Sequence, residues 1–314
     1  MCTFAPKNNK PMKTTFHLLA AMMLLLAASC QNGTPQENNN PQETGTPQES
    51  TVVIEEKDGV TLLCHGDNPL IVGLVDIENE MSADLFRGSY NDSLLAALMP
   101  TGASRSAINA YMAIDSVHKV LFDAGLGADK GGKLLERMKK AEVDPSEITA
   151  VCLTHLHGDH IGGLLLDGRA AFPNATLYLS QEEYDAWKDG GPLAANNALW
   201  KQVMAAYQGR IVTFRDGERL IDGMVVAKLA PGHTPGHTVY EVRCCLIVGD
   251  LLHAQDLQLE HPQFCARYDS DPAQATSTRS RIFNELRNNG QYMAGAHCYQ
   301  HFINLRDLSK GIKE

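Results

Sequence analysis

The stretch "THLHGDH", Thr154 to His160, directly follows an apolar run, "ITAVCL" (Ile148 to Leu153). It gathers three histidines and one aspartate, although the chain has only 12 histidines in 314 residues. Imidazole nitrogens and carboxylate oxygens are the ligands that zinc and similar divalent ions prefer in proteins. We therefore predict a strand that ends at a metal site.

The spacing within this stretch divides the four side chains into two pairs. His155 and His157 are two residues apart, so an extended segment points both the same way. Asp159 and His160 then lie at the turn or helix start beyond, where they can bend back toward a second ion. Four ligands from one loop cannot complete two sites, so we expect partners at later strand ends.

Candidate partners follow at three later places, each where an apolar run stops. "PGHTPGHT" places His233 and His237 in a turn rich in glycine and proline. "IVGD" ends at Asp250, and "AGAH" ends at His297. Loops at strand ends are where α/β proteins collect their functional side chains. His301, four residues beyond His297, is a rival for the same role.

From Thr51 onward, strand patterns alternate with helix patterns, which indicates two related αβ halves packed sheet to sheet. "QEEYDAWKD" is predicted as a helix with Ser180 as its N-cap and Glu183 in the position of a capping box. "HIGGLLL", which overlaps the end of the histidine motif, is predicted to begin another helix. The adjacent Cys244 and Cys245 are interpreted as buried strand residues, and a single disulfide elsewhere is left open.

Composition indicates a folded domain and argues against nucleic acid as a partner. Apolar residues make up 44% of the chain and charged residues 20%, which is ordinary for a globular protein. The formal net charge is -10, and no basic stripe is present to attract a phosphate backbone.

The N-terminal residues 1–30 are predicted to be a signal peptide with a lipobox, its start at Met1 or Met12. A basic start at Lys13 precedes an apolar core of about 13 residues, too short to cross a bilayer as a helix. Small residues precede Cys30, as in bacterial lipoproteins. Residues 31–50 repeat "PQE" and are predicted to be a flexible linker. The predicted localisation is therefore the cell envelope, on the periplasmic or surface side, with the exported domain 51–314 anchored in the membrane through Cys30.

Taken together, "THLHGDH", "PGHTPGHT", "GD" and the late histidine resemble, in order and spacing, the metallo-β-lactamase superfamily of metal-dependent hydrolases, over about residues 50–300. The resemblance implies an α+β fold, a four-layer αββα sandwich with a two-metal site at one edge. It implies two divalent ions, Zn²⁺ with Mn²⁺ or Fe²⁺ as alternatives. The implied ligands are His155, His157 and His233 for the first ion, Asp159, His160 and His297 for the second, and Asp250 bridging both.

The residues around these ligands receive lesser roles. The first histidine of "GHTPGH" is the ligand in such motifs, so His237 is expected to support the site or the structure. The family often has an aspartate at the position of Asp123 that supports the metal loop. His253 and His261 are interpreted as ordinary polar residues, and Tyr268, Trp187, Trp200 and Phe172 as either pocket or core.

A closer resemblance is to the subgroup with methyl parathion hydrolase and some acyl-homoserine lactonases, through "FPNA", "GHTPGHT", "GDLLHA" and "DSD". One departure is the sequence "AHCYQHFINL" after His297, where that subgroup usually has a loop rich in phenylalanine and proline. We therefore expect the substrate pocket near His297 to differ.

The predicted function is hydrolysis of a small-molecule substrate by a dinuclear site and a bridging hydroxide, with Asp159 and Asp250 as catalytic residues that hold the pair and relay a proton. A lactone or carboxylic ester ranks first, a phosphotriester second and a β-lactam third. Other readings are a glyoxalase II-like thioester hydrolase, a persulfide dioxygenase with a single iron, and a lipoprotein that only binds metal. A homodimer is left open.

Overall fold

Two large sheets form the centre of the domain, which a computed structural model describes over residues 52–65 and 70–308. The described residues belong to one compact unit, Gln48–Glu314. The predicted signal segment 1–30, its lipidated Cys30 and the linker 31–50 lie outside the described residues. Within these ranges, no helix combines the length and apolar character needed to cross a bilayer.

The first sheet is mixed, and its described strands are β1 (Val52–Lys57), β2 (Val60–His65), β3 (Leu70–Ser82), β4 (Ala103–Ile114), β5 (Lys119–Phe122), β6 (Ala150–Cys152), β9 (Thr176–Ser180) and β10 (Ile211–Phe214). They are hydrogen-bonded in that order. The strands from β1 to β5 are antiparallel, and those from β5 to β10 run parallel. A small hairpin, β7 (Leu165–Leu166) and β8 (Arg169–Ala170), lies apart.

The second sheet also follows chain order, and its described strands are β11 (Arg219–Leu220), β12 (Val225–Leu229), β13 (Thr238–Val242), β14 (Cys245–Gly249), β15 (Tyr292–Gly295) and β16 (Ile303–Asn304). Only the β14–β15 pair among them is parallel. The long connection between these two strands carries a helix of 18 residues, Pro272–Asn289.

The described helices are mostly short: α1 (Asp92–Leu98), α2 (Leu134–Lys140), α3 (Gly158–Ile161), α4 (Gln181–Trp187), α5 (Ala198–Ala206), α6 (Gln255–Gln258), α7 (Pro272–Asn289) and α8 (Leu305–Leu308). The long α7 begins with Pro272 in its first turn, where the missing N–H costs no hydrogen bond. Asp271 caps it by accepting the N–H of Gln274.

The two sheets pack face to face, and helices cover their outer faces. Phe122 of the first sheet and Tyr240 of the second have ring centroids 5.5 Å apart in a shared buried cluster. In β14, Ile247 belongs to this inner cluster, whereas its neighbour Val248 packs outward with Phe283 of α7, as strand alternation requires. On the other side, α2 contacts β3. The predicted αββα layering is confirmed.

Two local predictions were wrong. The helix predicted at "HIGGLLL" begins earlier and stops at Ile161, and the chain continues as a 3₁₀ turn, Gly162–Leu164. A Cβ at Gly162 would lie only 2.1 Å from the Leu126 carbonyl oxygen, so two backbone segments pack in direct contact here. Cys244 is half-buried in the turn before β14, so of this adjacent pair only Cys245 is a buried strand residue. All six cysteines in the described ranges are unpaired.

Candidate metal centre

The ends of four structural elements meet at one edge of the sandwich and bring the predicted site residues together. The loop after β6 leads into α3 and carries the histidine motif. The turn between β12 and β13 carries His233, Asp250 directly follows β14, and His297 lies two residues beyond β15. The first sheet therefore contributes one ligand-bearing segment and the second sheet contributes three.

Three histidines of the predicted first set face one point. His157 Nδ1 lies 2.9 Å from both His155 Nε2 and His233 Nε2, and the last two atoms are 3.2 Å apart. Asp250 Oδ2 lies 3.3 Å from His233 Nε2 and 3.8 Å from His155 Nε2. Four donor atoms thus enclose a small space.

The second set adjoins the first through the same carboxylate. His160 Nε2 lies 3.0 Å from Asp250 Oδ1, and His297 Nε2 lies 3.2 Å from Asp250 Oδ2. Asp159 completes the group, its Oδ2 being 3.6 Å from His297 Nε2. Asp250 therefore contacts histidines of both sets.

These donor sets fit divalent ions. A tetrahedral zinc ion with Zn–N distances of about 2.0–2.1 Å separates its ligand atoms by roughly 3.3 Å. The separations within the first set, from 2.9 to 3.8 Å, lie around that value. His160 Nε2 and Asp250 Oδ1 are buried and make no well-directed hydrogen bond. Buried polar atoms without partners are costly, and an ion between them would supply the missing interaction.

Electrostatics within the cluster favour a charged carboxylate among histidines. Burial raises the pKa of Asp250, but the neighbouring His160 and His297 outweigh this effect and hold the pKa well below its usual value. Burial lowers the pKa of His233 to about 4, so this imidazole is neutral and ready to bind an ion at neutral pH. A neutral imidazole and an ionised carboxylate are the protonation states that metal binding needs.

A buried aspartate, Asp123, orients His160 of the second set through the ring nitrogen that faces away from Asp250. Asp123, in the left-handed region with φ 56°, accepts the Thr154 N–H at 2.8 Å and the Thr154 hydroxyl at 2.7 Å. Its Oδ2 also lies 2.7 Å from His160 Nδ1. This contact makes Nδ1 the protonated nitrogen and leaves Nε2 to face Asp250. Asp123 thus occupies the supporting position that the sequence suggested.

The first set has comparable support from α7. Asp269 Oδ1 lies 3.0 Å from His233 Nδ1, and Asp269 is held in turn by the buried Arg279, whose Nη2 donates to Oδ2 at 3.2 Å. Arg279 also donates to the carbonyl oxygen of Leu251, next to Asp250. Asp269 belongs to the "DSD" motif, and nothing in the local sequence pattern indicates this supporting role.

The remaining histidines divide between structural and central positions. His237 accepts the Asp250 N–H at its Nε2 and donates to the Ala230 carbonyl oxygen, so it shapes the backbone instead of facing the cluster. His301 lies 2.7 Å from the Thr61 hydroxyl, apart from the cluster that contains His297. His261 packs against Phe264.

His253 lies inside the cluster, although its sequence context indicated an ordinary polar residue. It is 1% exposed, and its ring stacks on His297 with centroids 5.4 Å apart. Its Nε2 lies 3.4 Å from Asp250 Oδ2, and neither ring nitrogen makes a well-directed hydrogen bond. The only signal in the sequence was its position three residues after Asp250 in "GDLLH".

A cavity of about 670 Å³ opens above the cluster. Asp159, Asp250 and His297 form part of its floor, and Met81, Leu85, Ile108 and Tyr268 give it apolar walls. Of the aromatic residues considered for a pocket, Tyr268 lines this cavity, whereas Trp200 and Phe172 are fully buried. The described lining includes no residue after His297, so the unusual sequence there does not form this wall.

Comparison with known protein families identifies the class of this protein. Residues 104–306 match the family described as "Metallo-beta-lactamase superfamily", and the chain belongs to it. Its members bind divalent metals, and the His/Asp cluster stands where this chain would hold them. The protein is therefore a metallo-hydrolase of this superfamily, as the sequence predicted.

Two relatives with named activities are similar in sequence to part of this chain. An N-acyl homoserine lactonase, AttM, from Agrobacterium fabrum is 29% identical over 125 residues, which are 37% of this chain and 43% of that protein. A probable metallo-hydrolase, YqgX, from Bacillus subtilis is 31% identical over 157 residues, 49% of this chain and 69% of that protein. The match thus spans less than half the length of the lactonase.

Solved structures agree with the fold. AbOPH, a hydrolase in the beta lactamase superfamily, superposes with a TM-score of 0.70 at 27% identity, over 82% of this chain and 94% of that one. AidC, a dizinc quorum-quenching lactonase solved with its product, gives a TM-score of 0.65 at 24% identity, over 81% and 93%. The second likeness concerns the fold alone.

Proposed function

We propose that this protein hydrolyses a neutral lactone or carboxylic ester, using two divalent ions, Zn²⁺ in the first instance. The observation that carries the proposal is the position of Asp250, whose two oxygens contact histidines of both ligand sets. The lactonase activity named for the Agrobacterium relative supports the substrate class.

The chain's own residues have separable tasks in this reaction. When bound, two divalent ions supply Lewis acidity and bring the pKa of a water molecule toward neutrality. Asp250 keeps the two ligand sets in register. Asp159 lines the cavity floor with its carboxylate, where it is placed to take a proton from the attacking water and return it to the leaving oxygen.

The cavity favours a neutral substrate over an anionic one. Its described lining includes the carboxylates of Glu80 and Asp84 and apolar walls, but no lysine or arginine. A glutathione thioester carries carboxylates remote from its reacting bond, and no lysine or arginine of this lining would neutralise them. A lactone, an ester or a neutral phosphotriester meets no such penalty, and a fatty acyl chain would bury apolar surface against Met81 and Leu85.

The location and assembly of the protein are also part of the proposal. We propose that Cys30 is lipidated after export, so that the hydrolase works at the cell envelope. Metabolic labelling with a fatty acid should mark the wild-type protein, and Cys30→Ala should abolish the label and release the protein from membranes. Light scattering on the purified protein tests the homodimer that the sequence left open.

Hydrolysis rates test the proposed activity. The purified protein is loaded with zinc or manganese and given an acyl-homoserine lactone, an aryl phosphotriester and a glutathione thioester, with His233→Ala as the control. We expect metal-dependent turnover of the lactone that the control lacks. Turnover of the thioester alone would refute the argument from the cavity, and one bound iron with oxygen consumption would instead identify a dioxygenase.

A further inference from the structure

The carboxylate of Glu183 is fully buried beside the metal cluster, in α4. It does not close the capping box that its spacing suggested. Ser180 caps the helix as predicted by accepting the Glu183 N–H, but the side chain of Glu183 turns inward and accepts four hydrogen bonds. The donors are the Leu156 N–H at 3.1 Å, the Trp187 indole at 2.7 Å, the Thr234 hydroxyl at 2.6 Å and the Gly236 N–H at 3.1 Å.

Three of these four donors belong to the two segments that carry the first ligand set, and the fourth, Trp187, lies in α4 itself. Leu156 lies between His155 and His157, and it donates to Oε1. Thr234 directly follows His233, and it donates to Oε2 together with Gly236. A carboxylate is planar and rigid, so one group fixes the distance between a loop of the first sheet and a turn of the second.

Packing around the carboxylate allows little movement. A Cβ at Gly236 would lie 2.0 Å from the Glu183 nitrogen, so the turn is in direct contact with the start of α4. The Ser180 hydroxyl also donates to the Gly236 carbonyl oxygen at 2.7 Å. Trp187, held by Oε1, places its ring 5.6 Å from that of His157.

We infer that Glu183 is a positioning residue, which sets the separation of His155 and His157 from His233 and thereby the affinity of the three-histidine site for its ion. The inference rests on the ligand set of the proposed function. Glu183 itself touches neither ligand nor cavity, and its effect passes through the backbone of Leu156 and Gly236. Groups that orient metal ligands in this way typically contribute tenfold to a hundredfold in metal affinity.

Glu183→Gln tests this inference in a defined direction. Leu156 and Trp187 are fixed donors, whereas the Thr234 hydroxyl can turn and accept. The amide oxygen should therefore keep the Oε1 side and the NH₂ should face Thr234, which leaves the Gly236 N–H without an acceptor. We expect the variant to fold and the turn with His233 to loosen.

The measurement is a stepwise cobalt(II) titration of the full metal-free chain, followed by visible absorbance and by competition with a chelator. His157→Ala identifies the absorbance of the three-histidine site. We expect Glu183→Gln to weaken that site tenfold to a hundredfold and the other site less than threefold. Asp185→Asn, on the same helix with a side chain 45% exposed, is the matched control and should change neither affinity.

Thr234→Val removes one donor and keeps the helix intact, so it covers the case in which Glu183→Gln does not fold. It should weaken the three-histidine site in the same direction. Unchanged cobalt affinities in a folded Glu183→Gln or in Thr234→Val, with only the melting temperature lowered, would overturn the inference. This readout needs no substrate, so it is distinct from a failure of the proposed hydrolysis.

Discussion

At the scale of single residues, Asp250 and Glu183 show two ways in which a buried carboxylate serves a metal site. Asp250 faces the cluster and is surrounded by histidines that hold its pKa well below the usual value. Glu183 faces the backbone of the loops, and burial raises its pKa to about 6 despite four donors. Asp250 is a proposed metal ligand, whereas Glu183 is proposed to position the histidine ligands.

Asp250→Asn should lower metal content and hydrolysis rate together. The amide keeps the shape but removes the negative charge that both ligand sets share. We expect fewer than two ions per chain and a rate at least about 100-fold lower. Elemental analysis measures the metal content, and initial rates measure the hydrolysis. Asp167→Asn, at an exposed turn position, is the control and should change neither quantity. Full turnover with one ion per chain would rule out the dinuclear site.

The titration of Glu183 should be visible in unfolding. Its pKa is about 6 in the folded protein, above the ordinary value of 4.5. A raised pKa means stability that is present below the unfolded value and is lost as pH rises through the folded value. From pH 5 to pH 7 wild type should therefore lose about 1 kcal/mol relative to Glu183→Gln. Urea unfolding of both metal-free proteins gives the difference, and parallel pH curves would contradict the assignment.

At the scale of elements, the sequence predicted what is local and missed what is distant. Ligands at strand ends could be predicted because apolar runs mark strands and the motif follows one directly. The spacing of Ser180 and Glu183 also fits a capping box, yet the side chain of Glu183 bonds Thr234 and Gly236, more than 50 residues away. Its orientation depends on how the sheets pack, which no local pattern records. His253 was undervalued for the same reason.

The end of β3 and the turn after it should control substrate fit and not the chemistry. Leu85 lines the cavity wall and is not one of the proposed ligands. Leu85→Ala removes apolar contact worth about 1–2 kcal/mol to a bound acyl chain, so KM for a long-chain substrate should rise about tenfold while metal content stays the same. Kinetics with short and long acyl chains measure this. An equal effect on both lengths would argue against an acyl chain on this wall.

At the scale of the whole molecule, the proposed ions join the two sheets. His155, His157 and His160 follow a strand of the first sheet, whereas His233, Asp250 and His297 follow strands of the second. An ion bound by both groups cross-links the halves and is absent from the unfolded chain. Metal should therefore stabilise the whole domain and not only the edge at which it binds.

Removal of metal should lower the melting temperature in a concentration-dependent way. Zinc at about 100 times its dissociation constant adds about 2.7 kcal/mol to the free energy of unfolding. For a domain of this size that corresponds to a rise of roughly 5–10 °C. Calorimetry with zinc and with a chelator measures the shift, and Asp250→Asn should show less of it. A melting temperature that does not change with bound zinc would mean that the unfolded chain binds the ion as tightly as the folded one, which contradicts a site assembled from both sheets.

The cavity walls described above come from chain segments that carry none of the proposed ligands. We expect substitutions of Leu85 and Ile108 in this wall to leave the loops that hold the ions in place. During evolution, single mutations in this wall would change the substrate preference while the ligand set is retained. Because the wall and the ligand set lie on separate segments, each intermediate variant would keep its metal site.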